Sequence, residues 1–364
     1  MKSSQRVHEL DSLRGLFLVL MTATHLPTRL RFYSHDFFGF VSAAEGFVFL
    51  SAFLTTFRLK PDQTALSLRA PLLQRAARLY GYHLLLAGFA CAAVLLFPYR
   101  PALSSFMAFF LEQPQIAIPG LLTLAYCPPL LDILPMYIFF LAATPFALQL
   151  AERYGYRVLI AGSALIWLVG QLGARELLQR GVGGALGGLP PERFGAFNVL
   201  AWQLLWVLGL SLGRSVHARA IATHPLPSWV IGAALASAFG FFSLRLLVLS
   251  GLELSPDLLF NKWNLGPARL LNMTCLALVF VRVVRHVVPA PTARGLSLLG
   301  RASLPVFCAH IVLSLLMHAI VGDVEVGVAL HEELLILLFS FGALFWLAWH
   351  RNAVKLGRLE QRTA

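Results

Sequence analysis

Apolar residues run along this chain in ten long stretches separated by short polar joints. The stretches cover 11–28, 37–57, 77–97, 131–151, 157–174, 197–213, 226–249, 266–284, 296–320 and 333–350. Each is long enough, as a helix, to cross a bilayer core. No alternating apolar and polar pattern of the kind that builds strands competes with them. The pattern predicts an all-α polytopic integral membrane protein of about ten transmembrane helices, with residues 1–364 forming one membrane-embedded domain.

Composition agrees. The chain is 58% hydrophobic and 13% charged, with a mean hydropathy of +0.74. A soluble domain carries about a quarter charged residues. No polar stretch is long enough to build a second, soluble core. The first apolar stretch opens with Asp-Ser-Leu-Arg-Gly and lacks a small-residue cleavage site, so no cleavable signal peptide is expected.

The net charge of +12 is read as membrane topology, not as a nucleic-acid surface. With the N-terminus in the cytoplasm, nineteen of the 29 Lys and Arg residues fall on the cytoplasmic side. Seven fall opposite (Arg29, Arg31, Arg100, Arg175, Arg180, Arg193 and Lys262), and Arg14, Arg245 and Arg269 lie within spans. Both termini are therefore predicted to be cytoplasmic. The four cysteines are scattered without metal-ligand spacing, and no metal site is expected.

Three outer connections carry information. Residues 99–130 contain an FMAFFL run too short to span, which is expected to lie in the membrane interface. The glycine-rich GVGGALGGLPP is read as a linker, with a lid as the alternative. The segment LELSPDLLFNKWNLGP brings Asp257, Asn261, Lys262, Trp263 and Asn264 together, a set that suits either carbohydrate contact or an interfacial aromatic belt.

Ionisable groups inside spans mark function by default, because burying them costs several kcal/mol. The first stretch, HELDSLRGLFLVLMTATHLP, carries Asp11, Arg14 and His25. Arg14 and His25 are eleven residues apart, which is about three helical turns, so they share one face at a separation of roughly 16 Å. Asp11 lies one turn before Arg14. The alternative is an interfacial Asp11–Arg14 pair, with His25 in the far headgroup zone.

The next stretch buries Glu45 near its middle. Glu45 and His25 are expected at similar depth, with the carboxylate orienting the imidazole as a general base. Arg14 is placed to hold a phosphate or carboxylate. Arg269 and Asn272, one turn apart, are either a second anion contact or, for Arg269, half of an ion pair. His310 is catalytic or a hydrogen-bonded core histidine. His83 and His318 are expected to be packing or interfacial residues. Ser51 is expected to bond a carbonyl of its own helix, and Asp11, Ser51, Trp202 and Gln203 are candidate substrate contacts, as are Arg269, Asn272 and His310. No GxSxG elbow, HExxH or phosphate loop is present.

The stretches DSLRGLFLVLMTATHLP and GFVSAAEGFVFLSAFL together resemble the opening of the OpgC family of membrane acyltransferases, within the broader acyltransferase-3 group. An Arg and a His separated by ten residues are that group's signature, here Arg14 and His25. LDILPMYIFFLAATPF, FNVLAWQLLWVLG, LGPARLLNMTCLALV and LGRASLPVFCAHI continue the resemblance, in order, over nearly the whole chain. One departure is Ser51-Ala52 where relatives often read Ser-Gly, which bears on close helix approach there.

The resemblance implies a ten-span bacterial inner-membrane enzyme. It would move a succinyl group from cytoplasmic acyl-CoA, as co-substrate and not as bound cofactor, to hydroxyls of osmoregulated periplasmic glucans. His25 would be catalytic and Arg14 would face the donor, with Glu45 and His310 matching the acidic residue and the late histidine. Acyl-CoA, the glucan acceptor, membrane lipid and the glucan-synthesis machinery are the implied partners. Acetyl transfer to another envelope polysaccharide is the nearest alternative. A transporter or glucan exporter with a proton relay is the rival of a different class, and a non-enzymatic anchor for that machinery is a third.

Overall fold

Two glycines decide how the first helix sits in the protein. In the computed structural model, which describes residues 8–57, 59, 63–217, 227–253, 257–287, 290–322 and 328–363, helix α1 (His8–His25) crosses helix α15 (Ala290–Arg301) almost backbone to backbone. A Cβ on Gly15 would stand 1.9 Å from the Leu296 carbonyl oxygen, and one on Gly300 would stand 1.8 Å from that of Asp11. Only residues without a side chain permit this approach, which is how helices gain packing contact where no hydrophobic force drives them together.

Among the described residues all regular structure is helical. After α1, the chain forms α2 (Leu30–Ser34) and α3 (Ala43–Phe57), then the long α4 (Ala65–Leu96). α4 begins twelve residues before the expected 77, because Thr64 caps its first turn by accepting the Ser67 amide and because Leu68, Leu72, Ala76 and Leu79 extend the buried stripe at helical spacing. α8 (Ile133–Tyr154) and α9 (Tyr156–Gln171) follow, joined at Gly155, whose φ of +87° an L side chain rarely adopts. α11 (Val199–His217), α12 (Ser228–Leu249), α13 (Asp257–Phe260) and α14 (Pro267–Val287) lead to α15. α16 (Ser303–Val321) and α17 (Leu330–Thr363) complete the bundle.

All ten predicted stretches contain helix, but they are not ten equal crossings. α4, α8, α12, α16 and α17 are each long and apolar enough to cross a membrane. α9 and the next helix, α10 (Ala174–Ala185), bend by 76° and add a sixth if counted as one span. α3 and the described parts of α11 and α14 are apolar but shorter. The expected ninth span, 296–320, is broken at Ala302 into α15 and α16. An unbroken helix would hold Arg301 inside the apolar stretch; the break instead leaves Arg301 beside Asp11 and His8. Lys2, Arg6, Arg58, Lys60 and Arg219, which the charge count uses, lie outside the described residues, as does the side chain of Asp257.

The outer connections are more ordered than a linker reading allows. Residues 101–122 form three short helices, α5 (Pro101–Phe106), α6 (Ala108–Glu112) and α7 (Pro114–Leu122), two of them opened by proline. Leu103, Met107, Phe109 and Phe110 are buried in the core, so part of the FMAFFL run packs inward. The first part of the glycine run is the end of α10, and Gly183 lies so close to Leu189 that a Cβ would sit 2.1 Å from its carbonyl oxygen. This is a packed corner.

The Ala52 departure is absorbed by the facing helix. Gly209 and Gly213, one turn apart on α11, take the carbonyls of Phe49 and Phe53 at distances that leave no room for a Cβ, and Ala52 is itself fully buried there. The outer faces of α12 and α17 are apolar, with Phe239, Leu246, Leu338 and Trp346 exposed, as lipid contact requires.

Candidate active site: a histidine pair on two parallel helices

His25 is the last residue of α1; Pro27 stops the helix from continuing. α16 runs parallel to α1 and is tied to it twice. Near the start, the Arg14 guanidinium donates to Ser303 Oγ at 2.5 Å. Near the far end, His25 Nδ1 and His310 Nε2 stand 3.1 Å apart, with the rings stacked at an interplanar angle of 16°. Ser303 and His310 are seven residues apart on α16, about 10 Å, against roughly 16 Å between Arg14 and His25 on α1. The long arginine side chain spans the difference. His310 is fully buried, with Phe307 edge-on to its ring, whereas His25 keeps part of its surface accessible.

The two rings share one proton-bearing hydrogen bond, so one donates and the other accepts. If His25 Nδ1–H donates to His310 Nε2, the second ring nitrogen of His25 is left with a free lone pair. That is the tautomer a general base needs. In this arrangement a neutral imidazole orients the base, the part a carboxylate plays in hydrolase triads.

Glu45 does not take that part. The structure brings it to Arg269, whose Nε and Nη2 donate to Glu45 Oε1 at 2.9 and 2.6 Å. Ser42 donates to its other oxygen through both the amide, at 3.0 Å, and the hydroxyl. Glu45 and Arg269 are both buried, so each is the other's counter-charge, and the expected Glu45–His25 pairing is corrected. Arg269 is thereby the ion-pair member that the sequence left open, and Asn272 serves as a tether, donating to the Phe38 carbonyl at 3.0 Å.

A polar chain continues from this pair. Arg269 Nη2 also donates to Asp36 at 2.9 Å; His35 Nδ1 lies 3.2 Å from the other Asp36 oxygen; Lys262 Nζ lies 3.3 Å from His35 Nε2. Burial would raise the Asp36 carboxyl, but the His35 hydrogen bond and the Arg269 charge outweigh it and hold it well below the usual carboxylate range. Burial draws the Lys262 ammonium down, partly countered by Glu45 and Asp36. His35 and Asp36 escaped the sequence reading; a charged pair placed directly before an apolar stretch was the available signal.

Other expected contacts are structural. Asp11 is buried, and its carboxylate lies 3.9 Å from Arg301. The Trp202 indole, fully buried, donates to the Trp263 carbonyl at 3.0 Å, and Gln203 is bound to Ser163 on α9. Both hold elements together. Among the described residues Ser51 Oγ is buried without a hydrogen-bond partner, contrary to the expected bond to its own helix. Asn261 and Asn264 spend their amide oxygens on the Asn264 amide and on Asn198, leaving Trp263 exposed. His83 and His318 bond the carbonyls of Leu121 and Ser314 and belong to the packing.

Comparison with known proteins finds no curated protein and no solved structure that matches. The family model described as "OpgC protein" matches residues 6–356, a range that contains α1 with both of its site residues and every helix that touches them. The chain belongs to the OpgC protein family.

Proposed function

We propose that this protein is a membrane O-acyltransferase that uses the His25–His310 pair to move an acyl group from a CoA thioester to a sugar hydroxyl. The observation that carries the reading is the 3.1 Å contact between a partly accessible His25 and a buried His310, on the same α1 face as Arg14. His25 takes the proton of the acceptor hydroxyl as its oxygen attacks the thioester carbonyl. The C–S bond then breaks, and the CoA thiolate leaves and is protonated. His310 fixes the His25 tautomer and shares the charge of the imidazolium. In a two-step variant of the same chemistry His25 carries the acyl group transiently.

Family membership favours osmoregulated periplasmic glucans as acceptor and succinyl as the group, with acetyl transfer to another envelope polysaccharide as the alternative. Succinylation would add negative charge to a neutral sugar and draw counterions. With both termini in the cytoplasm of a bacterial inner membrane, Arg14 would lie toward the donor compartment and His25 toward the acceptor. The glucan-synthesis machinery is the natural neighbour.

Charge separation of periplasmic glucans tests the reading, using a deletion strain that carries the native chain or His25→Ala at matched membrane abundance. Anionic, succinate-releasing glucans with the native chain and neutral ones with the variant are the expected result. Neutral glucans from the native chain would overturn the glucan-succinyl assignment.

A further inference from the structure

One arginine at the edge of a cavity has a nitrogen with nothing to donate to. Where α4 begins, α8 gives way to α9 and α11 ends, the helices enclose a cavity of about 140 Å³. Leu68 and Leu148 line its apolar side, and Gln63, Glu152, Tyr156 and Arg214 line its polar side. Arg214 Nη1 is buried and, among the described residues, has no hydrogen-bond partner. Among the same residues no carboxylate stands within ion-pair distance of this guanidinium, although Glu152 shares the cavity. Guanidinium groups stay charged at any physiological pH. A buried charged N–H left unpaired costs more than a neutral one, so this side chain is poised for an acceptor from outside the chain.

Glu152 narrows what that acceptor belongs to. Its Oε1 accepts the Ala65 amide at 2.7 Å, at the start of α4, which leaves Oε2 for a donor in the cavity. A simple anion would meet this carboxylate along with the arginine and be repelled by it. A molecule that carries an anion and a cation a few atoms apart would satisfy both. At roughly 30 Å³ for each water in the liquid, the cavity has room for about four or five waters, or for one small polar group. Leu66, Tyr154 and Val158, which adjoin cavity residues in sequence, are exposed, so apolar surface lies beside the polar one. A charged pocket bordered by apolar surface at the ends of membrane helices fits a lipid headgroup.

We propose that this cavity binds the headgroup of a zwitterionic phospholipid, with its phosphate on Arg214, its primary ammonium on Glu152 and its acyl chains on the exposed apolar residues alongside. The guanidinium fork matches phosphate oxygens bidentately, and the carboxylate selects the ammonium over an uncharged headgroup tip. The site shares no residue with the His25–His310 pair.

Delipidated native protein, Arg214→Gln, Arg214→Lys and Glu152→Gln test it, each titrated with short-chain phosphatidylethanolamine, short-chain phosphatidylglycerol and free phosphoethanolamine. Bound ligand is counted by native mass spectrometry, and folding is checked by thermal unfolding. The native protein holds one phosphatidylethanolamine in preference to phosphatidylglycerol. Arg214→Gln weakens that binding about tenfold or more, the worth of one charge-assisted hydrogen bond. Arg214→Lys recovers part of the loss. Glu152→Gln, which keeps an oxygen for the Ala65 amide, loses the preference between the two lipids. Should Arg214→Gln fail to fold, Glu152→Gln decides alone. Equal binding of the two lipids by the native protein, or a preference that Glu152→Gln leaves intact, would overturn the assignment. Phosphoethanolamine bound as tightly as the lipid would overturn the lipid and make the occupant a soluble zwitterion.

Discussion

His25 Nδ1 and His310 Nε2 face each other across 3.1 Å, one ring partly accessible and the other fully buried. In the proposed mechanism that asymmetry divides the labour. His25→Ala removes the base, and a lost general base costs about 10²- to 10⁴-fold in kcat. His310→Ala leaves the base but frees its tautomer, so kcat falls less and its pH profile shifts, with KM for the acceptor largely kept. Initial rates across pH for both variants check this. Equal, pH-independent losses would mean that the two rings do not act as base and orienter.

Glu45 and Arg269 predict a stability effect. Removing one partner of a buried pair strands the other charge and costs about 3–5 kcal/mol. Glu45→Gln alone and Arg269→Met alone are each expected to unfold at markedly lower temperature. The double variant is expected to be less destabilised than their sum, because neither Glu45 nor Arg269 is then left facing the other's absence, although Asp36 still loses Arg269. Thermal unfolding of the four forms measures the coupling. An additive result would contradict the pairing.

Asp36 links the same cluster to pH. Its folded pKa is depressed below an unfolded value of about 3.9, so its contribution is fully present above that value and is lost as pH falls through the folded value. Asp36→Asn is therefore expected to cost the same stability from pH 8 down to about 5. The gap from the native protein should close only on strong acidification. Unfolding temperatures of both proteins over this range decide it.

Gly300 is the narrowest point of the α1–α15 crossing. Gly300→Ala must push the Asp11 backbone away, and overpacking of this kind costs about 1–3 kcal/mol. The displaced α1 also carries Arg14 and His25, so activity should fall with stability. A variant of native stability and native rate would show that the crossing is looser than the geometry says.

Much of this was legible in the chain. The ten apolar stretches located the helices because a bilayer demands length and apolarity that few other environments require, and the eleven-residue spacing put Arg14 and His25 on one face. The partners of Glu45 were not legible. Glu45 sits 20 residues after His25 but 224 residues before Arg269, and nothing local says which distant charge will neutralise a buried carboxylate. His310 could be named as a candidate but not as the partner of His25, since their contact spans 285 residues. The break at Ala302 was hidden because the end of α15, residues 296–299, runs in sequence into the apolar α16. The tethers made by Trp202 and Gln203 were not legible for a simpler reason: polar tips in an apolar helix mark inter-helix tethers as readily as ligand contacts.

The most direct test of the central claim is thioester-dependent release of free CoA by purified native protein and by His25→Ala, with a neutral glucan present or withheld. The account predicts acceptor-dependent release by the native protein, with acyl esters appearing on the glucan in equal amount, and near-background release by a folded His25→Ala. Undiminished, glucan-coupled release by His25→Ala would contradict the assignment of the reaction to this histidine.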